Sequence, residues 1–475
     1  MAIRRLGVLD AAWLLVDSEH TPMHVGGLMI FRLPEDRPGD YLHDMVARMK
    51  TTRDPVPPWD LKLYRPGLAG RVLLPAWQED PQLDLDYHVR HLALPHPGGE
   101  RELGVQVSWL HSYHMDFRRP LWECHVIEGL ENNRFALYAK MHHSLIDGIS
   151  GMRLLQRIMS TDPGETDMPA PWHIRPRRML PVLEPGKQSL PETLRRILGL
   201  ARRQTAAVPE LGAALGRLLR AARGAEGPLV APFEAPPSPL NGRIGAQRRF
   251  ATQQCSMDSL HSLSDRLDVS INDLVLHLCG TALRRFLLEQ DGLPEEPLTA
   301  GIPVNIRPAD DDSTGTAISF MIASLGTHLA DPMERLEHIH ASTQAAKEHL
   351  RQLPRSALTQ YTILLMAPYI LQLLSGLGGH TRPVFNVTIS NVPGPQEPLY
   401  YNGAGLEAMY PVSLVAHGAA LNITCLSYDN CLNFGFTGCR DSLPSMQRLA
   451  VYTGEALAEL QARAAAATGP ASAAR

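Results

Sequence analysis

The segments by which a chain usually announces a nucleotide cofactor are missing here. There is no Gly-x-x-x-x-Gly-Lys phosphate loop and no Gly-x-Gly-x-x-Gly turn, which removes the commonest nucleotide-cofactor readings. Gly-x-Ser-x-Gly is absent too, and the six cysteines (Cys124, Cys255, Cys279, Cys425, Cys431, Cys439) form no Cys-x-x-Cys pair. Neither a serine nucleophile on an elbow nor a redox dithiol is therefore indicated. A mononuclear metal site needs three or four protein ligands, and no third His or Cys stands at characteristic spacing from the one histidine pair that draws attention. No redox or metal cofactor is expected.

Long apolar runs are also lacking. Met1-Ala2-Ile3-Arg4-Arg5 leads into a short apolar stretch that Asp10 interrupts and Asp17 to His20 close without a small-residue cleavage site, which reads as a helix and not as a signal peptide. Even the apolar region from Tyr361 to Leu377 contains Pro368, Gln372 and Ser375, and falls short of the roughly 20 residues that a bilayer-spanning helix requires. Any membrane or lipid-inclusion contact is expected to be peripheral. The cysteine pattern and the missing secretion signal fit a reducing cytoplasm. A net charge of −4 argues against general nucleic-acid binding, and no motif for it is present.

What the chain does have is size and one pointed motif. Its 475 residues, 44% of them hydrophobic, suffice for sizeable cores and for two or three domains at about 150 residues each. From Arg134 to Met141, Phe135, Leu137 and Met141 alternate with Tyr138 and Lys140, the period of a half-buried strand. From Ile149 onward, Ile149, Met152, Leu155, Ile158 and Met159 recur at helical spacing. Between the two lies His142-His143-Ser144-Leu145-Ile146-Asp147-Gly148, a tight connection between rigid elements of the kind that often holds catalytic side chains.

The chemistry this motif offers is general base catalysis, because an imidazole titrating near pH 6.5 is well matched to taking a proton from a hydroxyl, thiol or amine. His143 is the candidate base, and direct attack by a bound acceptor fits better than a covalent acyl-enzyme. For His142 the plain alternative is a strand-end histidine that shapes the loop. Asp147, followed by Gly148, either caps the next helix or pairs with an arginine to fix the loop.

Further motifs are spread along the chain: Leu9-Asp10-Ala11, Pro22-Met23-His24-Val25-Gly26-Gly27, Pro120-Leu121-Trp122-Glu123, Asn272-Asp273 opening an apolar helix, and Ser390-Asn391-Val392-Pro393-Gly394-Pro395 after a strand. Together with the histidine motif, and in this order, they make the sequence resemble the bacterial wax ester synthase/acyl-CoA:diacylglycerol acyltransferases. That family lies within the larger group of CoA-dependent acyltransferases that includes chloramphenicol acetyltransferase and condensation domains. The resemblance implies an α/β fold of two chloramphenicol acetyltransferase-like domains, each a mixed sheet with flanking helices, and an active-site channel between them. It implies His143 as base, with His142 and Asn272 beside the reaction centre. Asn272 either donates to the developing oxyanion or orients the loop, and its plain alternative is a helix N-cap, with Asp273 in structural support. Trp122, with Pro120 and Leu121, is a packing residue or an acyl-tunnel wall. Asn391, Pro393 and Gly394 form a turn expected to line the acyl-CoA entrance. His24 shapes the start of a sheet and is not expected to be catalytic.

Two departures stand out. The family usually has alanine where this chain has Ser144, a change that fits but alters the local hydrogen bonds, and it usually has Gly-Asn where this chain has Gly315-Thr316.

Proline clusters in residues 161–191 and 227–240 divide the chain into an N-terminal domain (1–165), a connector (166–245) and a C-terminal domain (246–475). Within the connector, Lys187 and seven arginines face Glu192 and Glu210 between Lys187 and Ala225, a net of +6 beside an apolar leucine face. Such a segment lies on an anionic lipid surface or simply links two domains; a site for CoA phosphates is a third reading. Strand-like pieces (Leu298–Ile306, Phe385–Ser390, Leu421–Leu426, Leu432–Phe436) alternate with helical ones (Ile271–Leu288, Met333–Leu350, Met446–Ala462) in the last domain.

The expected function is an O-acyltransferase that moves a fatty acyl group from acyl-CoA, a co-substrate, to a long-chain alcohol or diacylglycerol. Two alternatives remain. One is a condensation-type enzyme taking its acyl group from a carrier protein; the other is a non-catalytic lipid-surface protein of the same fold.

Overall fold

A computed structural model describes residues 3–6, 8–36, 39–51, 55–64, 76–146, 148–174, 227–305, 318–353 and 355–467. The first half supplies strands β1 (Ile3–Arg5), β2 (His24–Arg32), β3 (Leu61–Tyr64), β4 (Ala76–Glu79), β5 (Val89–Ala93), β6 (Trp122–Leu130) and β7 (Arg134–His142). Its helices are α1 (Val8–Val16), α2 (Tyr41–Thr51), α3 (Leu85–His88), α4 (Glu100–Ser112) and α5 (Gly148–Gln156). The second half supplies β8 (Arg248–Ser256), β9 (Thr299–Asn305), β10 (Ile318–Ser324), β11 (Val387–Val392), β12 (Tyr400–Tyr401), β13 (Ala404–Val412), β14 (Leu421–Tyr428) and β15 (Cys431–Cys439). Its helices are α6 (Met257–Leu267), α7 (Ile271–Leu288), α8 (Pro332–Arg351), α9 (Arg355–Leu374) and α10 (Arg448–Ala467).

Two six-stranded mixed sheets carry the molecule, in the orders β12-β13-β2-β7-β6-β5 and β10-β9-β11-β14-β15-β8, and β1-β4-β3 form a small third sheet. In the first large sheet β5 and β6 run parallel and the rest antiparallel; in the second, β11 runs parallel to both β9 and β14. The sheets do not divide where the chain was expected to divide at residue 246. Strand β13 pairs with β2, from Gly405 opposite Arg32 to Val412 opposite Gly26, so residues 400–412 of the second half complete the sheet of the first.

The exchange runs in the other direction as well. The outer strand of the second sheet, β8, is covered by α4, whose Ser112 and Ser108 hydroxyls accept the Arg248 and Phe250 N–H groups, both at 2.8 Å. Two edge donors are thereby satisfied without another strand. The proline-rich exit of the connector is pinned by a buried asparagine pair. Asn386 Nδ2 donates to Pro236 O at 2.7 Å and to Asn241 Oδ1 at 2.8 Å, while Asn241 Nδ2 donates to Gly418 O at 2.9 Å. The basic stretch Lys187–Ala225 lies outside the described residues, as does Thr316.

Strand β7 departs from the expected half-buried pattern. Tyr138 and Lys140 are as buried as Phe135 and Leu137, because helix α4 covers the face that alternation assigned to solvent. Polar groups survive there through partners. The Tyr138 hydroxyl donates to His111 Nδ1 at 2.7 Å, and Lys140 Nζ donates to the carbonyls of Leu110 and Tyr113 at the end of α4, at 2.9 and 3.0 Å. One ammonium at the carbonyl end of a helix also complements its dipole.

Candidate active site

Successive strand residues point to opposite faces, and this separates the paired histidines at the end of β7. His142 turns inward and is 1% exposed, whereas His143 is half-buried, its ring 4.4 Å from that of Trp13 on α1. The two backbones are anchored across the sheet: His142 N–H donates to Leu121 O at 2.9 Å and His143 N–H to Met23 O at 2.8 Å. The Pro120-Leu121 and Pro22-Met23 motifs are thus the two rails that hold the histidine turn. Glycine in the second motif has a packing reason, since a Cβ on Gly27 would lie 2.7 Å from Met152 Sδ on α5.

His142 has a partner on each ring nitrogen. Its Nδ1 accepts the Ser144 N–H at 3.1 Å and lies 2.6 Å from Ser144 Oγ, so the serine that departs from the usual alanine adds a hydroxyl to this contact. Its Nε2 faces Asp17 Oδ2 at 3.3 Å. The Asp17 side chain is 3% exposed and accepts two further hydrogen bonds, from Met23 N–H at 2.7 Å and from His114 Nε2. Burial works to raise its carboxyl, but the bonds from His114, His142 and Met23 outweigh that and hold it below the usual range. Asp17, Trp13 and His114 had no sequence signal as site residues: they stand between 28 and 130 residues from the doublet, on elements that only folding unites.

Other expected residues take plainer places. Leu121 and Trp122 have no exposed surface and Pro120 is buried, so these three face no open channel in this structure. The Trp122 indole donates to Trp59 O at 2.6 Å and stacks on His88 with ring centroids 4.4 Å apart. His24 is buried, donates to His111 O at 2.8 Å, and is driven well below its ordinary pKa by burial. Asp147 lies outside the described residues, and Gly148 begins α5.

In the second half, Asn272 does not cap α7. The cap is Ser270, whose hydroxyl accepts the Asp273 N–H while Asp273 reaches back to Ser270 N–H, a closed capping box. Asn272 is half-buried in the first turn. Asp273 is fully buried and ties that turn to α8, accepting from Thr343 Oγ1 at 2.6 Å and from His340 Nδ1 at 3.0 Å. Asp273→Ala would leave the Ser270 N–H without its acceptor and cut the tie to α8, the Thr343 hydroxyl keeping only the His340 carbonyl at 3.0 Å. A loss of about 3 kcal/mol in urea unfolding is expected; a loss under about 1 kcal/mol would show the tie to be dispensable.

Asn391 lies in β11, beside Val392, which contacts the same hydrophobic cluster as Leu145 and Ile146 of the histidine turn. Pro393 is exposed beyond it. Gly394 is required by close approach: its N–H donates to Ser427 Oγ at 3.0 Å, and a Cβ would stand 2.1 Å from Ser427 O. An open cleft of about 740 Å³ between Pro236, Asn241, His380 and Arg382 contains none of these residues. Among the described residues, no group of three or more His, Cys, Asp or Glu could hold a metal ion, and no helix is long and apolar enough to cross a membrane.

Solved structures place this architecture. The first condensation domain of the calcium-dependent antibiotic synthetase superposes with a TM-score of 0.58 at 16% identity, covering 98% of this chain and 96% of that one. At that identity the likeness concerns the fold, which is the condensation-domain class of paired sheets. A wax ester synthase/diacylglycerol acyltransferase from Marinobacter aquaeolei VT8 is much nearer: TM-score 0.78, 37% identity, 97% of this chain and 100% of that one. The O-acyltransferase WSD of Acinetobacter baylyi is 40% identical over 456 residues, 95% of this chain and 96% of its own. A Mycobacterium tuberculosis protein, named provisionally as a diacylglycerol O-acyltransferase, is 45% identical over 485 residues and 97% of each chain. The family pattern for the wax ester synthase/diacylglycerol acyltransferase catalytic domain matches residues 6–275, and that for the C-terminal domain of the same family matches 314–461. The chain belongs to the wax ester synthase/diacylglycerol acyltransferase family, as its motifs implied.

Proposed function

We propose that this enzyme transfers a fatty acyl group from acyl-CoA to the hydroxyl of a long-chain alcohol or of diacylglycerol, with His143 as general base and no acyl-enzyme. The observation that carries this reading is the division of labour in the doublet: His142 is buried and bonded at both nitrogens, while His143 is presented at the turn with accessible surface. An imidazole held on a turn that two motifs anchor is suited to accept a proton in a fixed direction.

In this reaction the His143 imidazole takes the hydroxyl proton as the oxygen attacks the thioester carbonyl carbon. The tetrahedral oxyanion collapses, the carbon–sulfur bond breaks, and the thiolate of CoA recovers the proton from the imidazolium. Holding both substrates in register supplies much of the rate enhancement, and Asn272 is the proposed donor to the oxyanion. Asn391, Pro393 and Gly394 are proposed to border the acyl-CoA entrance, and the lipid substrates imply work at a membrane or lipid-inclusion surface.

The test is incubation of the purified enzyme with radiolabelled palmitoyl-CoA and either hexadecanol or diacylglycerol, with the lipid products resolved. Wax ester or triacylglycerol is expected, and the ratio ranks the acceptors. Free palmitate alone, or no turnover with either acceptor, would overturn the reading in favour of a carrier-bound donor.

A further inference from the structure

We propose that Asp17 is a positioning residue for acyl transfer: its buried carboxylate bridges His142 and His114, fixes His142 as the Nε2–H tautomer, and so sets the turn that presents His143. The tautomer follows from the hydrogen-bond pattern. A backbone N–H can only donate, so the Ser144 N–H at 3.1 Å makes His142 Nδ1 an acceptor. A carboxylate can only accept, so Asp17 Oδ2 at 3.3 Å requires the proton on Nε2. The neutral ring then meets both of its partners at once, which the other tautomer cannot do.

Asp17 is well built for the task. It closes the chain just beyond α1, the helix whose Trp13 ring lies against His143. The same carboxylate binds the N–H of Met23, whose carbonyl in turn accepts the N–H of His143. Its other oxygen holds His114, which stacks on Phe117 at 5.0 Å, and Phe117 meets the His142 ring edge-on at 5.5 Å. One buried group therefore joins α1, the segment leading to β2, the loop after α4, and the end of β7. Each of these four elements borders the paired histidines. Displacement of a catalytic group by about 1 Å can lower a rate on the order of 100-fold, which is the leverage such a joint holds.

The activity arm of this proposal rests on His143 acting as the base, and its structural arm does not. Asp17→Asn keeps the size and removes the charge and one acceptor. In the folded variant kcat with palmitoyl-CoA and hexadecanol is expected to fall about 10- to 100-fold, while KM for palmitoyl-CoA stays within about threefold. Thermal unfolding reports the folded fraction, so a rate lost merely in step with unfolding overturns the proposal, as does kcat within twofold of the wild type. The second measurement needs no variant to fold at full yield: ring nitrogen shifts of ¹⁵N-histidine wild-type protein, assigned against His142→Gln. A protonated Nε2 on His142 is expected, and a protonated Nδ1 alone overturns the proposal. If His143→Ala retains full activity while His142 shows the Nε2–H form and Asp17→Asn loses it, the base assignment has failed and the Asp17 linkage stands.

Discussion

His143→Ala is expected to lower kcat by about 10²- to 10⁴-fold, the usual contribution of a positioned general base. That corresponds to roughly 3–5 kcal/mol of barrier at about 1.36 kcal/mol per tenfold. The loss should fall on kcat, because a general base acts on the proton as it moves in the transition state. Folding should be nearly untouched: the ring is half-buried and its contact with Trp13 contributes on the order of 1 kcal/mol. His142→Ala makes the informative contrast. Removing that ring strips a partner from both Asp17 and Ser144 inside the core, so stability and activity decline together. Ester formation by His143→Ala above about a tenth of the wild-type rate would remove His143 from the mechanism.

Glu123→Ala is expected to destabilise the protein by about 3–5 kcal/mol, because it strands Lys140 as an uncompensated buried charge. The two side chains meet at 3.3 Å with Lys140 fully buried and Glu123 7% exposed. Burial pushes the Lys140 ammonium down, and Glu123 is what holds it up. Burial would also raise Glu123, but His125 at 3.2 Å and Lys140 bring its carboxyl down to about 2. The stability that Glu123 contributes is accordingly present above its ordinary value of 4.5 and is lost as pH falls toward 2. Exchanging both partners for apolar residues, Glu123→Leu with Lys140→Met, should cost much less than the two single changes summed. Additive losses in urea unfolding would mean that the pair is not coupled. Lys140 precedes His142 by two residues on β7, so the same experiment reports how firmly that strand is held beneath the site.

How much of this was legible in the sequence depends on the range of the forces involved. Helix α7 has the bounds that apolar spacing predicts, Ile271–Leu288, because the periodicity and the Ser270 cap are local facts. The cap itself was assigned an alternative holder, Asn272, since any Ser, Asn or Asp near a helix start satisfies the local rule and only the backbone decides among them. Alternation on β7 was read correctly as a strand and wrongly as half-buried, because the helix that covers its second face lies more than twenty residues upstream. The histidine motif and the separated motifs pointed to the family because each is a short contiguous run and they follow one another in the family's order. Asp17 gave no such signal: a carboxylate becomes a ligand of His142 only after 125 residues of chain have been folded between them.

The exchange of elements between the two halves bears on how greasy substrates get in. Prying the halves apart like a clam would tear β13 from β2 along the register from Gly405 to Val412 and uncover the donors of β8 that α4 now satisfies. Each bared strand edge would be an adhesive row of unpaired N–H and C=O groups. The two halves are riveted, not hinged, so entry of the proposed long-chain substrates would fall to loops and side chains yielding around that frame.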